Sequence, residues 1–381
     1  MAGRPKKEQE IVEGEESKKD GPQEVMKGIL KDEKCHFNHI EPKKYNVSTG
    51  SLGFDIELNG GLKPSIIRCA GISEAGKSSF SLNVVKNFLD DLTRKRRGIY
   101  FLSDKELSEE LRERSGVKFV ENIDDWVDGT FYILRTNIYE TVCNTIKKVI
   151  VDREREYIFV LDSMDNFAPQ AALEGDFGDS FAKGGTGAIS SHFFRCFSIL
   201  LPRLGHITIM ISQYRDSIQI GRQTNPTQKQ MSTSGGRAIE HAVSWAFEFF
   251  VPMNSTEDMF WEGEAWKSKK IGHNCIVQLK KSINEKTGNK IKYPIIYGRA
   301  GGKSVWVERE VFSQLLSWQM VKRKASWLEW DANTLQEISK LDNEEFPKQI
   351  HGEDNFVKFL ESKPKITDYL YNKIKDTLLS G

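Results

Sequence analysis

Residues 71–78 read GISEAGKS, and together with their flanks they constrain the chain more than any other feature. The octet fits G-x-x-x-x-G-K-[ST], with Gly71, Gly76, Lys77 and Ser78 at the fixed places. Before it stands SIIRCA (65–70), a short β-branched run suited to a buried strand. After it comes KSSFSLNVVKNFLDD (77–91), in which Phe80, Val84, Phe88 and Leu89 recur at helical spacing. Strand, glycine-rich turn and helix in that order aim several backbone N–H groups at one point, in front of a helix N-terminus. That is where a polyphosphate is bound. The spacing therefore predicts that Gly71, Ser73, Glu74, Ala75, Gly76, Lys77, Ser78 and Ser79 cradle a nucleotide. Lys77 would reach its outer phosphates and Ser78 would hold Mg²⁺.

A loop of this kind works with polar groups at neighbouring strand tips. YIFVLDS (157–163) supplies Asp162, placed to hold the metal shell. Capping of the next helix is a second role open to it, and the two are compatible. Asp104, ending GIYFLSD (98–104), is the first candidate to orient the attacking water. Glu106 is the second, although beside Glu109 and Glu110 it also reads as part of a solvated helix face. MISQYR (210–215) puts Gln213 at a third tip, beside the γ-phosphate. The stretch 214–237 that follows is polar and carries Arg215, Arg222, Lys229 and Arg237. Another, 168–187, follows Asp162 and carries Lys183. Loops this long inside a compact domain are usually functional. Two of them behind nucleotide-touching strands suggest that nucleotide state orders loops that hold something long and flexible.

Composition limits the classes further. Hydrophobic residues make up 38% and charged residues 29%, no apolar run reaches membrane length, and the start is charged rather than signal-like. The expectation is a cytoplasmic protein with no membrane partner. Five cysteines, never in C-x-x-C form, suit reduced thiols, and CHFNH (35–39) lacks a second ligand cluster at zinc spacing. The net charge of +1 names no partner, but its distribution does. Between Ala265 and Lys303 stand ten Lys/Arg and a single acid, Glu285, with Trp266, Tyr293 and Tyr297 among them. That density suits a polyanion, either nucleic acid or the nucleotide of a neighbouring subunit; a solvated strand face is the plainer reading.

Along the chain, residues 1–24 read as a disordered arm whose GRPKK (3–7) is a partial minor-groove motif, and 25–46 as an oligomerisation segment and linker. Residues 47–318 alternate strands (98–104, 130–135, 157–162, 206–212, 244–251) with helical patterns (107–115, 137–152, 188–203). The fold class is therefore α/β, with a mostly parallel central sheet covered on both faces. Residues 274–283 and 290–298 flank NEKTGN as an edge hairpin. Residues 319–381 form a small helical C-terminal domain anchored by aromatic residues.

In the order of these motifs the chain resembles the RecA family of strand-exchange ATPases, including the phage UvsX type. STGSLGFDIELNGGLKPSII (48–67) resembles the signature before that family's phosphate loop, and VLDS its metal-binding strand. LEGDFGDS (173–180) resembles the start of its first DNA-binding loop, and ISQYR and SGGRAIEH (234–241) the borders of its second. VQLKKSI and PIIYG resemble its last core strands.

The resemblance implies a filament on single-stranded DNA that pairs it with double-stranded DNA, ATP and Mg²⁺ as cofactors, and loader and single-strand-binding proteins as further partners. It places the protein at the nucleoid or, for a phage-encoded chain, in the host cytoplasm. It implies Asp104 and Lys77 as catalytic groups, Gln213 as the switch, and Lys183, Arg215, Arg222, Lys229 and Arg237 on DNA. Lys280 falls where the family sends a lysine into the neighbour's nucleotide site, its charge free to face across an interface, with Lys281 sharing the role. Three positions depart from the pattern. Asp104 replaces a Glu, Ser282 replaces a second inter-subunit lysine, and the adenine-stacking aromatic falls near Leu111. A mediator that binds ATP and DNA with little hydrolysis, and a hexameric motor or helicase, are the other classes such a core serves.

Overall fold

The computed structural model describes residues 21–174, 186–216, 231–233, 236–251, 258–263 and 268–380. Residues 1–41 and 42–381 form two compact units. In the first, α1 (Pro22–Lys31) opens on a proline, which suits a first helical turn. It begins two residues before the expected end of the arm at residue 24. Its Val25, Met26, Ile29 and Leu30 are all exposed, and their spacing gathers them on one side of the helix.

The second unit runs α2 (Leu52–Glu57), β1 (Ile66–Gly71), α3 (Lys77–Leu89), β2 (Arg96–Leu102), α4 (Glu109–Ser115), β3 (Phe119–Val120), β4 (Phe131–Arg135), α5 (Tyr139–Val149), β5 (Glu156–Asp162), α6 (Gln170–Glu174), α7 (Thr186–Phe197), α8 (Leu200–Arg203), β6 (Ile207–Asp216), β7 (Met231–Thr233), α9 (Gly236–Ala242), β8 (Trp245–Phe250), β9 (Met259–Glu262), β10 (Lys269–Lys281) and β11 (Lys290–Ile296). There follow α10 (Val307–Ser317), β12 (Val321–Lys324), β13 (Trp327–Trp330), α11 (Ala332–Asp342), β14 (Gln349–His351), α12 (Glu353–Ser362) and α13 (Pro364–Ser380).

One large sheet has the order β11-β10-β8-β1-β6-β5-β2-β4-β3, with β7 paired to β6 and β9 to β10. From β3 across to β8 the strands of this order are parallel. β1 is buried along its whole length, and β5 along all but its last residue, as their continuous apolar runs require. The expected hairpin is present as β10 and β11, with Val277 opposite Ile291. β3, β7 and β9 are too short or too polar to have stood out in the sequence. Because the central strands run the same way, β1, β2, β5 and β6 present their carboxyl ends along one edge, where α/β sheets bind ligands.

The signature at 48–55 owes its small and hydroxyl residues to two buried carboxylates. Asp55 accepts from the Ser48 hydroxyl (2.5 Å), the Thr49 N–H (2.7 Å) and the Thr49 hydroxyl (2.8 Å). It also pairs with Lys375 of α13 at 3.4 Å. Glu310 of α10 caps α2 from outside, accepting from the Ser51 hydroxyl (2.6 Å) and the Leu52 N–H (2.9 Å). Burial pushes the Glu310 carboxyl up to about 7, against the pull of those donors. Leu52 joins a second hydrophobic cluster with Phe312, Trp330, Phe356 and Leu370. The C-terminal residues are helical as expected and add a three-stranded sheet, β12-β13-β14. No helix among the described residues is long and apolar enough to cross a membrane.

Candidate active site

The phosphate loop leaves β1 at Gly71, whose strand neighbours are Gln213 of β6 and Phe249 of β8. A Cβ at Gly71 would run into the Phe249 carbonyl, so glycine is the residue that lets the turn begin inside the sheet. Gly76, at φ +92°, caps α3 in a left-handed conformation. Lys77 is buried, and its ammonium donates to the carbonyls of Gly71 (2.9 Å) and Ile72 (2.6 Å), inside the loop. Burial lowers its pKa, and the charge of Asp162 opposes that shift.

Asp162, at the tip of β5, accepts from the Ser78 hydroxyl at 2.9 Å and from the Tyr100 hydroxyl at 2.5 Å, both on Oδ2. Burial raises its carboxyl, while Tyr100, Ser78 and Lys77 pull the other way. A hydroxyl beside one carboxylate, at the mouth of a phosphate cradle, is a hard oxygen set of the kind Mg²⁺ takes when phosphates and waters complete its shell. Among the described residues, no cluster of three or more His, Cys, Asp or Glu forms a metal cage. Ser103 brackets the Asp162–Ser163 peptide, its hydroxyl donating to the Ser163 carbonyl (2.9 Å) and accepting from the Ser163 N–H (3.0 Å).

One cleft of about 630 Å³ brings these groups together, lined by Ser73–Ser79, Tyr100, Asp104, Asp162 and Gln213. Its volume lies in the usual range for a small-molecule site. Asp104 is exposed at the cleft wall. Glu106 also lines it, but its carboxylate is engaged by Arg135 at 2.5 and 3.0 Å, which holds its pKa below the usual range. A carboxylate held in that way is the weaker base, which favours Asp104. The wall near α4 carries Leu107, Leu111 and Arg114.

Gln213 is the last residue of β6 paired with β1, opposite Gly71, and its N–H donates to Asp165 at 2.6 Å. Beyond it β6 pairs with β7, Arg215 opposite Ser232, so the ladder closes the base of the segment between them. Arg237 lies in α9. Lys183, Arg222, Lys229 and Trp266 lie outside the described residues. Lys280 and Lys281 are absent from the cleft lining. Contrary to expectation, Lys280 is not uncommitted: it pairs with Glu248 at 2.9 Å. Lys281 donates to the carbonyls of Glu240 (2.8 Å) and His241 (3.2 Å). The stretch CHFNH is used locally, Cys35 bonding to Asp32 and His36 to the Leu30 carbonyl. Sequence reasoning missed Tyr100 and Glu248. The signal for both was a polar atom inside an otherwise apolar strand.

The sheet order and this cleft define a protein of the P-loop class, an α/β core whose strand tips surround a G-x-x-x-x-G-K-S loop. The family model described as the RecA N-terminal domain matches residues 30–251. The chain is 22% identical to Protein RecA of Campylobacter fetus over 360 residues, covering 90% of this chain and 88% of that protein. It is 24% identical to Protein RecA of Bifidobacterium breve, covering 86% and 73%. Protein RecA of Pseudomonas fluorescens matches at 23%, covering 88% and 83%. The chain belongs to the RecA family of recombinases.

Proposed function

We propose that this protein is a DNA-dependent ATPase that assembles with other copies of itself on single-stranded DNA and exchanges it into homologous double-stranded DNA. The observation that carries the reading is the place of Gln213. It lines the cleft with Lys77, Ser78 and Asp162, and the residues after it leave directly into the β6–β7 ladder. A group that meets the γ-phosphate on one side and a long basic segment on the other can transmit nucleotide state to DNA.

In this reading the loop amides and Lys77 bind the phosphates, and Ser78 and Asp162 hold the metal. Asp104 orients the water whose attack releases phosphate. Mg²⁺, when bound, neutralises charge on the phosphate oxygens. Arg215 and Arg237 border the DNA-holding segment, and Lys183, Arg222 and Lys229 belong to the same duty. The exposed apolar side of α1 supports its assignment as a contact with another copy. Lys280 serves the neighbour's nucleotide, Lys281 sharing the task.

The test has two parts: electron microscopy on single-stranded DNA with a non-hydrolysable ATP analogue, and steady-state ATP turnover with and without that DNA. Filaments and DNA-stimulated turnover are expected. Rings, or turnover indifferent to DNA, would overturn the proposal.

A further inference from the structure

The structure points to a second duty for the strands behind the cleft. We propose that Tyr214 and Glu248 form a relay through which the nucleotide in a subunit's own cleft releases Lys280 for the neighbouring subunit. The inference rests on the reading that Lys280 acts across the interface, and it adds what governs that action.

Gln213 and Tyr214 are consecutive on β6, so their side chains point to opposite faces of the sheet. The first lines the nucleotide cleft. The second donates its hydroxyl to Glu248 Oε1 at 2.6 Å. The other oxygen of the same carboxylate, Oε2, pairs with Lys280 at 2.9 Å. Glu248 is only 12% exposed whereas Lys280 is 51% exposed, so the lysine is the member that solvent can take up once the carboxylate draws away.

The local backbone supports this. Leu279 is opposite Phe247 and Lys281 opposite Ala246, which makes Lys280 the extra residue of a β-bulge. Bulges re-aim side chains at sheet edges and functional sites. The bulge sends Lys280 to Glu248, and through it to the strand that enters the 217–235 segment. It sends Lys281 to the end of α9, the helix that follows that segment. Two adjacent lysines are therefore tied to the elements on either side of that segment, Lys280 to β6 by way of Glu248 and Tyr214, and Lys281 to the C-terminal end of α9.

A lysine held by a carboxylate is poorly placed to meet a phosphate on another subunit. Its release requires Glu248 to move or lose its grip, and the residue holding Glu248 is one step along the chain from Gln213. A shift of β6 at Gln213 toward its own nucleotide thus draws Tyr214, and Glu248 with it, away from Lys280. Glu248 and Tyr214 are positioning residues in this scheme, and assembly becomes cooperative because a subunit without nucleotide withholds its lysine.

The two variants have opposite expected signs. Glu248→Gln keeps the shape but removes the charge that holds Lys280. Tyr214→Phe leaves the Lys280–Glu248 pair intact but cuts it off from β6. The assay is fluorescence anisotropy of a labelled single-stranded oligonucleotide with the full chain, at fixed salt, titrating a non-hydrolysable ATP analogue. Glu248→Gln should assemble at a lower analogue concentration and less steeply, the midpoint falling roughly five-fold or more, as for coupled sites. Tyr214→Phe should raise the midpoint, and the double variant should follow Glu248→Gln.

Midpoints moving in the same direction, or a double variant that follows Tyr214→Phe, would overturn the relay. If Glu248→Gln fails to fold, an unchanged midpoint in Tyr214→Phe is sufficient to overturn it. Lys280→Ala is the control for the underlying reading. If it leaves the midpoint unmoved, action across the interface is wrong. If it raises the midpoint while the other variants show no opposite shifts, that action stands and the relay is wrong.

Discussion

Replacing Tyr100 with Phe removes one oxygen from the centre of the cleft. That oxygen donates to Asp162 Oδ2 at 2.5 Å, beside the bond from Ser78 at 2.9 Å. The ring itself is fully buried and meets Phe131 edge-on at 5.6 Å, so the variant should keep its fold. A hydrogen bond to a charged group is worth about 1.5–3 kcal/mol. The Tyr100 hydroxyl pulls the Asp162 carboxyl down against burial, so without it that carboxyl should rise further. A raised carboxyl loses its charge as pH falls through its folded pKa, and a metal needs the charged form. The acid limb of Mg²⁺-dependent nucleotide binding should therefore move to higher pH, with the alkaline plateau preserved. The assay is binding of a fluorescent ATP analogue with and without Mg²⁺ across pH, with circular dichroism as the control for folding. Superimposable acid limbs in the two proteins would refute the reasoning, because the Tyr100 hydroxyl would then have no hold on the carboxylate.

Other outcomes follow from the same geometry. Lys77→Ala should abolish ATP hydrolysis, since Lys77 holds its ammonium inside the phosphate loop whereas Lys105, the other lysine of the cleft, is exposed on its wall; surviving DNA-stimulated turnover would remove the phosphate-loop assignment. Lys280→Ala should lose DNA-stimulated turnover, and mixing it with Lys77→Ala should restore some sites, each mixed interface combining one intact lysine of each kind. No recovery at any ratio counts against action between subunits. Gly71→Ala should destabilise the fold by about 1–3 kcal/mol in urea, because its methyl would be driven into the Phe249 carbonyl. An unchanged midpoint would show that the backbone there yields.

What could be read from the sequence was whatever a local pattern encodes. The phosphate loop, the buried strands that carry Asp162 and Gln213, and the β10–β11 hairpin each announce themselves through period, run length or turn residues. Tyr100 reads as one more aromatic in GIYFLSD until the neighbouring strand places Asp162 against it, a pairing of residues 62 positions apart. Glu310 lies 259 residues from the hydroxyl of Ser51 that it accepts, and no window of sequence contains both. The engagement of Lys280 was hidden in the same way. Its side chain looked uncommitted within a basic stretch, and only the bulge in β10 and the register with β8 bring Glu248 to it. Non-local partners of polar residues are where sequence reading ended, because charge and spacing predict what a residue can do and not which strand will face it.

Gln213→Ala separates nucleotide affinity from nucleotide signalling. The loop amides, Lys77 and Ser78 remain in the cleft, so affinity for ATP should change little. What the variant removes is the side chain that lies on β6 between the phosphate loop and the β6–β7 ladder. Its backbone is already fixed, by the bond from its N–H to Asp165 at 2.6 Å and by its register with Gly71. The strand should therefore stay in place and lose only its means of sensing the γ-phosphate. The difference in DNA affinity between the ATP and ADP states should then collapse. Coupling of this kind is typically worth about 1–3 kcal/mol, or roughly 5- to 150-fold in affinity. Fluorescence anisotropy on single-stranded DNA with each nucleotide, at one salt concentration, measures that difference directly. Salt must be held constant because phosphate contacts make every such affinity depend on it. If Gln213→Ala keeps the full ATP-to-ADP difference, Gln213 is a strand-end residue only. The signal to DNA would then have to leave the cleft by another route, for which the exposed wall at Asp104 is the next place to cut.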